Sequence, residues 1–273
     1  MRTLVHLSDI HFGRVDYSLI SPLMEAVRRS RPDLVAVSGD LTQRARTHEF
    51  QAARAFLDSL PTPQIVVPGN HDVPLHNVWT RFASPLGKYR RYISRDLEPF
   101  YQDQEIAVLG INTARSLTIK GGRINGQQAA LMRQRLCSVG AGVIKVVVTH
   151  HPIDLPEGYG EMDLVGRARL ALDALADCAP DLFLAGHFHI GQAGHAVRRE
   201  AVGRPALFVQ AGTATSTRGR GQANSFNILR LDGDDLTIER HDWVPEQADF
   251  VASRLERFRR SPGGWSPANS PAV

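Results

Sequence analysis

The sequence predicts an α/β protein with a four-layer α/β/β/α sandwich of two mixed sheets. Three observations predict this fold class. Residues 3–37 show strand, helix and strand patterns in turn, as a βαβ unit does. Further short apolar runs recur up to residue 185, with helical patterns between them. Beyond residue 190, short alternating runs separated by glycine turns indicate antiparallel strands, which we expect to complete a second sheet packed on the first.

The first part of the chain supplies three predicted parallel strands. Residues 4–7 and 34–37 are apolar runs, and the helix between them ends at Pro32. A second helix over residues 48–59 leads into a third strand at residues 65–67. Because crossovers between parallel strands are right-handed, the carboxyl ends of these strands should meet at one edge of the sheet.

Residues 75–103 interrupt this alternation. Large apolar residues recur there at loosely helical spacing, and five cations lie between them: Arg81, Lys88, Arg90, Arg91 and Arg95. One interpretation is an inserted helical segment with a solvated basic face. The other is a wall of the cleft that offers cations to a substrate. The sequence leaves both interpretations open.

The rest of the chain is predicted to continue the same domain to residue 259. A loop rich in glycine and proline at residues 153–166 is long enough to overhang a site. Residues 246–259 are expected to form a last helix. Residues 260–273, which are rich in proline, are expected to be a disordered tail.

Composition and charge narrow the functional classes. The 273 residues carry a formal net charge of +4, which suits a small anionic ligand. This charge is modest and lies partly in arginines near the C-terminus, so nucleic acid is possible and not favoured. No apolar stretch is long enough to span a membrane, and no signal-peptide pattern is found. With Cys137 and Cys178 expected as reduced thiols, the sequence predicts a cytoplasmic protein. It gives no indication of the oligomeric state.

Polar side chains follow five of the apolar runs, at the end where each predicted strand finishes. In an open α/β sheet, ligands bind at the carboxyl ends of the strands. The clearest case is V-P-G-N-H-D, which begins at the end of the strand at residues 65–67. The candidate metal ligands are two carboxylates, one amide and four imidazoles: Asp9, His11, Asp40, Asn70, His150, His187 and His189. Because no thiolate is among them, Mn or Fe is expected, with Zn as a further possibility, and seven ligands favour two ions over one.

The order D-x-H, G-D, G-N-H-D, H-x-P and G-H-x-H closely resembles the calcineurin-like metallophosphoesterase superfamily. Within it, the chain is most similar to class III cyclic-nucleotide phosphodiesterases and bacterial glycerophosphodiesterases. The resemblance implies the same four-layer, metallophosphoesterase-like architecture. It also implies that Asp40 bridges two ions, one held by Asp9, His11 and His189 and the other by Asn70, His150 and His187.

The sequence offers no Ser or Cys nucleophile with an elbow motif or a partner base, so we expect hydrolysis without a covalent intermediate. A hydroxide shared by the two ions would attack phosphorus directly. His71, adjacent to Asn70, is expected to protonate the leaving group, with Asp72 raising its pKa and orienting its ring through a hydrogen bond. Further candidate contacts to the substrate are Asn70, His71, Arg44 and His151.

The predicted function is therefore a dinuclear metal-dependent phosphodiesterase acting on a small diester, either a cyclic nucleotide or a glycerophosphodiester. A metal-dependent nuclease and a pyrophosphatase of a nucleotide-sugar lipid are alternatives within the same superfamily. A non-catalytic protein-interaction scaffold is the alternative from a different class. All seven candidate ligands and His71 are present, which argues against the scaffold.

Overall fold

Two mixed β-sheets form the centre of the fold. A computed structural model describes residues 1–75, 78–117, 121–154, 164–187, 196–200, 205–218 and 221–268. Within these residues the strands form one sheet of seven strands and one of six. Each sheet combines parallel and antiparallel neighbours, as predicted.

The seven-stranded sheet joins the two ends of the chain. Its strands are β1 (Arg2–Leu7), β2 (Leu34–Ser38), β3 (Gln64–Val67), β10 (Ser225–Asp232), β11 (Asp235–Val244), β12 (Asp249–Ser261) and β13 (Gly264–Pro267). They lie in the order β13-β12-β11-β10-β1-β2-β3. β1, β2 and β3 are parallel, so their carboxyl ends share one edge. β10 pairs with β1 in the antiparallel sense.

The six-stranded sheet is built from the middle of the chain. Its strands are β4 (Phe100–Gln102), β5 (Ile106–Ile111), β6 (Ile144–Thr149), β7 (Leu182–Ala185), β8 (Ala196–Glu200) and β9 (Pro205–Gln210). They lie in the order β4-β5-β6-β7-β9-β8. β5, β6, β7 and β9 are parallel, and the two outer strands run antiparallel to their neighbours.

Side chains of the two sheets pack against each other in a shared core. The alternation within β1 illustrates how this works: Leu4 belongs to the core between the sheets, whereas Val5 and Leu7 belong to the core on the outer face. Each such fully buried side chain contributes roughly 1.5–3 kcal/mol relative to an exposed one.

Helices cover both outer faces. α1 (Ile20–Arg29) and α2 (Thr47–Ser59) share a core with the seven-stranded sheet. α5 (Gly126–Cys137) and α6 (Ala168–Leu175) share one with the six-stranded sheet. The predicted four-layer α/β/β/α sandwich is therefore confirmed.

The C-terminal segment differs from the sequence prediction. The helix expected at residues 246–259 is wrong, because residues 249–261 form β12, of which residues 249–259 pair with β11. The disordered tail expected from residue 260 is also wrong as far as residue 267, because β13 pairs with β12 and buries Trp265. Residues 269–273 lie outside the described residues.

The segment at residues 75–103 contains two short helices, α3 (Val78–Ala83) and α4 (Gly87–Tyr92), and then enters β4. Its basic residues have different environments. Arg81 is buried and donates to the carbonyl of Pro74, and Lys88 donates to that of Ala45. Arg90, Arg91 and Arg95 are exposed. The interpretation as a wall of the cleft remains a prediction.

Cys137 and Cys178 form a disulfide, so the expectation of two reduced thiols is wrong. The reason is the packing of α5 beside α6, which brings Cys137, the last residue of α5, to a Cα–Cα distance of 4.4 Å from Cys178, just beyond the end of α6. Among the helices that the structure describes, none has the length and apolarity that a membrane crossing requires.

Candidate metal centre

Five candidate ligands lie at strand ends of both sheets. In the seven-stranded sheet, Asp9 follows β1, Asp40 follows β2 and Asn70 follows β3. In the six-stranded sheet, His150 follows β6 and His187 follows β7. The candidate centre therefore forms where the carboxyl edges of the two sheets meet.

Unusual backbone conformations turn these side chains toward one another. Asp9, His11 and Asp40 have φ angles of 54°, 54° and 53°, and His187 has 80°. Left-handed backbone costs roughly 1–3 kcal/mol for a residue other than glycine, and such strain is concentrated at functional sites. The turns are held by backbone hydrogen bonds, from Asp9 to the carbonyl of Gly39 (3.1 Å) and from His11 to that of Asp40 (2.9 Å).

Gly39 makes room for His150. It has a φ angle of 89°, and a Cβ atom at this position would lie 2.7 Å from Nδ1 of His150. A Cβ atom on Gly69 would overlap the Asp40 side chain. Glycine at these two positions lets the imidazole and the carboxylate approach the backbone of the turns that follow β2 and β3.

The first group of candidate ligands consists of Asp9, His11 and Asp40, whose ligand atoms all lie within 4.8 Å of one another. Nε2 of His11 is 3.5 Å from Oδ1 of Asp9 and 3.6 Å from Oδ2 of Asp40. All three side chains are buried. The other oxygen of Asp9 accepts hydrogen bonds from the Ser8 hydroxyl (2.6 Å) and the His187 amide (3.0 Å), which fixes the carboxylate plane.

The second group is centred on Nε2 of His150. Nδ1 of this ring donates to the carbonyl of Ser38 (2.8 Å), so Nε2 is the nitrogen that faces the centre. Three other polar atoms converge on Nε2: Oδ1 of Asn70 at 3.1 Å, Nδ1 of His187 at 3.3 Å and Oδ1 of Asp40 at 3.4 Å. Such a convergence of lone pairs on one point suits a cation.

Asp40 contacts both groups, through Oδ2 toward His11 and through Oδ1 toward His150. Burial raises the pKa of Asp40, but His150 and His11 outweigh it and hold this pKa well below its usual range. Burial lowers the pKa of His150, but Asp40 outweighs it and raises this pKa to about 9. A buried carboxylate between two buried imidazoles is a donor set that fits a pair of Mn, Fe or Zn ions.

The remaining candidate residues have environments that differ from one another. His151 joins His150 and His187 in a group whose ligand atoms lie within 4.8 Å, and its Nδ1 lies 2.8 Å from the hydroxyl of Thr113. Arg44 is exposed, and its backbone amide donates to Glu49. His189 and residues 155–163 of the predicted loop lie outside the described residues.

The predicted hydrogen bond from Asp72 to the His71 ring is wrong. Asp72 is buried and accepts bonds from the backbone amides of Leu41, Thr42 and Gly69. Burial, and then Asp40, raise its pKa to about 6. Residues 70–72 form one turn of 3₁₀-helix, in which successive side chains point about 120° apart, so the two neighbours in sequence diverge in space.

Sequence reasoning missed two residues that form hydrogen bonds with the His71 ring. Nδ1 of His71 donates to the backbone carbonyl of Gln43 (2.9 Å), and Nε2 accepts a bond from Nη1 of Arg218 (3.0 Å). Arg218 follows β9 in the stretch A-G-T-A-T-S-T-R, which has no histidine or carboxylate to attract notice. The one sequence feature that could have indicated a role for this stretch is its alternating threonines.

Comparisons with known proteins agree with this geometry. The sequence model of the family described as calcineurin-like phosphoesterase matches residues 2–191. The chain is 28% identical over 202 residues to glycerophosphodiester phosphodiesterase GpdQ of Enterobacter lignolyticus, covering 68% of this chain and 70% of that protein. It is 27% identical to a probable cyclic nucleotide phosphodiesterase of Synechococcus, covering 60% of this chain and 63% of that protein.

Solved structures share the fold at lower sequence identity. A dimetal phosphatase from Danio rerio superposes with a TM-score of 0.65 at 15% identity, covering 92% of this chain and 98% of that one. A purple acid phosphatase from yellow lupin, Lupinus luteus, gives a TM-score of 0.65 at 12% identity, covering 92% of this chain and 52% of that one.

Proposed function

Because the chain belongs to the calcineurin-like phosphoesterase family and is a metal-dependent hydrolase of phosphoric esters, we propose that it cleaves a small phosphodiester with two metal ions. The observation that carries this proposal is the position of Asp40 between His11 and His150. One carboxylate that contacts both ligand groups is the arrangement that two-metal hydrolases use.

Each group of side chains would hold one ion. Asp9 and His11, with His189 as the resemblance implies, would hold the first, and Asn70, His150 and His187 the second, with Asp40 shared. When bound, the ions supply positive charge to the phosphoryl oxygens and lower the pKa of a water molecule toward neutrality. Ser8 and the carbonyl of Ser38 would orient Asp9 and His150 as ligands.

His71 is the residue that we propose as proton donor to the leaving group. Its ring lies edge-on to the His11 ring, with centroids 5.0 Å apart, so it borders the first ligand group. Nδ1 donates to the carbonyl of Gln43, so Nε2, which accepts a bond from Arg218 in this structure, is the nitrogen that would carry the transferred proton once the substrate has displaced Arg218. Burial lowers the pKa of His71, His11 and Arg218 lower it further, and Asp40 and the Gln43 carbonyl oppose them. An anionic diester would favour the protonated ring.

The substrate class is proposed from the relatives. Their names give a glycerophosphodiester in one case and a cyclic nucleotide in the other, and both are small diesters. A second candidate substrate is a pyrophosphate with an apolar substituent, such as that of a nucleotide-sugar lipid. It is favoured by α3, which exposes 86% of Trp79 and 56% of Phe82 three residues after the turn at residues 70–75.

A substrate panel with manganese-loaded protein tests this proposal. It contains cyclic AMP, a 2′,3′-cyclic nucleotide, a glycerophosphodiester, a nucleotide-sugar lipid, a phosphomonoester and single-stranded DNA. We expect a small diester to give the highest kcat/KM and the monoester the lowest. Preferred cleavage of DNA, with a steep salt dependence, would identify a nuclease instead. If no substrate of the panel were turned over with both metals bound, the result would favour the non-catalytic protein-interaction scaffold.

The cytoplasmic location is part of the proposal and has its own test. Disulfides are more typical of oxidising compartments, so the Cys137–Cys178 pair argues against it. Trapping of thiols during lysis of the source cells, followed by mass spectrometry, measures the state of the pair. Reduced cysteines in the cytosolic fraction would support the cytoplasm, and an oxidised pair in an exported fraction would contradict it.

A further inference from the structure

Arg218 faces the candidate active site through His71 and Gln43. Its Nη1 donates to Nε2 of His71 at 3.0 Å and lies 3.4 Å from Oε1 of Gln43. Because His71 is adjacent to the candidate ligand Asn70 and borders His11, the guanidinium group lies at the rim of the proposed metal centre.

Three threonines fix the segment that carries Arg218. Their hydroxyl groups donate to backbone carbonyls of the turn after β1: Thr213 to Asp9 (2.7 Å), Thr215 to Ile10 (2.9 Å) and Thr217 to Arg14 (3.1 Å). The turn after β1 also carries Asp9 and His11. These hydrogen bonds therefore hold the backbone of Arg218 in a fixed position relative to the first ligand group.

The partners of this guanidinium are neutral. In the described part of the chain, the side-chain contacts of Arg218 are to an imidazole and an amide, and no carboxylate pairs with it. Arg218 is partly buried. Guanidinium groups that are partly withdrawn from water generally pair with an anion, and their planar fork matches the oxygens of a phosphate.

Arg44, the arginine that the sequence suggested for phosphate binding, has no comparable setting. Its residue is exposed, whereas Arg218 is directed toward His71. The sequence therefore favours Arg44 as the phosphate-binding arginine, whereas the structure favours Arg218.

We propose that Arg218 binds a non-bridging oxygen of the substrate phosphoryl group and exchanges its contacts with His71 and Gln43 for that oxygen when the anion enters. This role rests on the proposed function, because it assumes a phosphoryl group held beside Asp40. It gives Gln43 a role as well, as the neutral residue that holds the guanidinium in place without competing with the substrate for it.

Binding of inorganic phosphate to manganese-loaded protein tests this role directly. We expect Arg218→Ala to weaken phosphate binding in isothermal titration calorimetry by about 10-fold to 100-fold, the range for loss of a charge-assisted hydrogen bond. Arg218→Lys should recover part of the loss, because it restores the charge without the fork. Arg169→Ala is the matched control, since Arg169 is an exposed arginine on α6 paired with Asp173. Metal content and the unfolding midpoint are measured for every variant.

A variant that introduces a negative charge at Gln43 provides an independent test. Gln43→Glu would give the guanidinium a permanent carboxylate partner, so phosphate binding should weaken in the single variant. The effects of Gln43→Glu and Arg218→Ala should be non-additive, with a smaller loss from the glutamate once the arginine is absent. Additive effects would contradict the exchange of contacts.

The outcomes separate Arg218 from the proposed function. Unchanged phosphate affinity and unchanged KM in a fully metallated Arg218→Ala protein would overturn the role of Arg218 while the phosphodiesterase activity stands. A loss of affinity in Arg44→Ala but not in Arg218→Ala would assign the role to Arg44. Phosphate binding that depends on Arg218, without turnover of any diester, would support the residue and contradict the activity.

Discussion

Nε2 of His150 lies 3.4 Å from Oδ1 of Asp40, although the two residues end strands of different sheets. This contact joins the two halves of the candidate metal centre, because Asp40 also lies 3.6 Å from His11. The relative position of the two sheets therefore sets the spacing of the proposed ions. Changes that act on this junction should affect both ions at once.

Asp40→Asn should remove metal as well as activity. The amide offers one neutral oxygen where the carboxylate offers two charged ones, so it cannot serve both ligand groups. We expect fewer than two ions per chain by elemental analysis, and kcat reduced by more than about 100-fold, beyond the 10-fold to 100-fold typical of outer-sphere changes. Asp58→Asn, on the exposed face of α2, is the control. Two retained ions in Asp40→Asn would argue against the shared carboxylate.

Gly39→Ala should displace His150. The new Cβ atom would lie 2.7 Å from Nδ1 of His150 and would also require the left-handed backbone of an alanine. Gly233→Ala is a matched control, because Gly233 has a φ angle of 60° and open space around its Cβ position. Both variants should lose about 1–2 kcal/mol of unfolding free energy from the backbone. Only Gly39→Ala should also lose metal affinity, and equal metal binding by both would refute the steric argument.

His71→Ala should impair poor leaving groups selectively. A general acid matters most when the departing alkoxide is a strong base, so hydrolysis of an alkyl diester should slow by about 100-fold to 10,000-fold. Bis-nitrophenyl phosphate needs little protonation and should be affected much less. His48→Ala, at an exposed position on α2, serves as control. If both esters lost activity equally, His71 would have no role as an acid.

Stability should fall in acid because of His6. Burial lowers the pKa of this histidine to about 3, against the raising effect of Asp9, while the ordinary value is 6.5. Below pH 6.5 the unfolded chain binds a proton that the folded chain does not accept until about pH 3, so stability is lost over this interval as pH falls. Between pH 7 and 5 the loss from His6 should be about 2 kcal/mol.

Urea denaturation at the two pH values, at equal metal loading, measures this effect. His6→Gln can keep the hydrogen bond that His6 makes with Ser38 at 2.9 Å but does not titrate. Its stability should therefore fall about 2 kcal/mol less than that of the wild type between pH 7 and 5. Identical slopes for the two proteins would show that His6 does not control the acid response.

The disulfide should stabilise the fold. It closes a loop with a sequence separation of 41, for which chain entropy predicts about 4 kcal/mol. A Cys137→Ser/Cys178→Ser double variant should unfold at lower urea concentration than the oxidised wild type. Dithiothreitol should lower the midpoint of the wild type and leave that of the variant unchanged. A wild-type midpoint that does not respond to the reductant would contradict a bridging pair.

The strand ends could be predicted from sequence because an apolar run followed by His, Asp or Asn is a local pattern. Contacts between residues adjacent in sequence could not be predicted in this way. Asp72 is an example, because its distance from the His71 ring depends on the 3₁₀ turn that separates the two side chains. The helix predicted at residues 246–259 was wrong for another reason. Its apolar residues Phe250 and Phe258 are eight apart, as on one face of a helix. In β12 they lie in different cores, because the pairing with β11 shifts register between them, at Ala252 and Arg254.

Arg218 escaped sequence analysis because its relation to the centre is entirely tertiary. No motif links it to His71, which lies 147 positions earlier in the chain. The threonine bonds that bring the segment to Asp9 depend on the alignment of β9 beside β7. Residues placed by such long-range packing become visible only in the folded structure.

The position of β1 between β10 and β2 has a consequence for biosynthesis. β1 leaves the ribosome long before its partner β10, which comes from residues 225–232. Until then, one side of β1 presents bare amide and carbonyl groups on an apolar strand, which is a template for pairing with other chains. Shielding by a chaperone during translation should therefore raise the yield of native protein, and truncated products that end before β10 should aggregate.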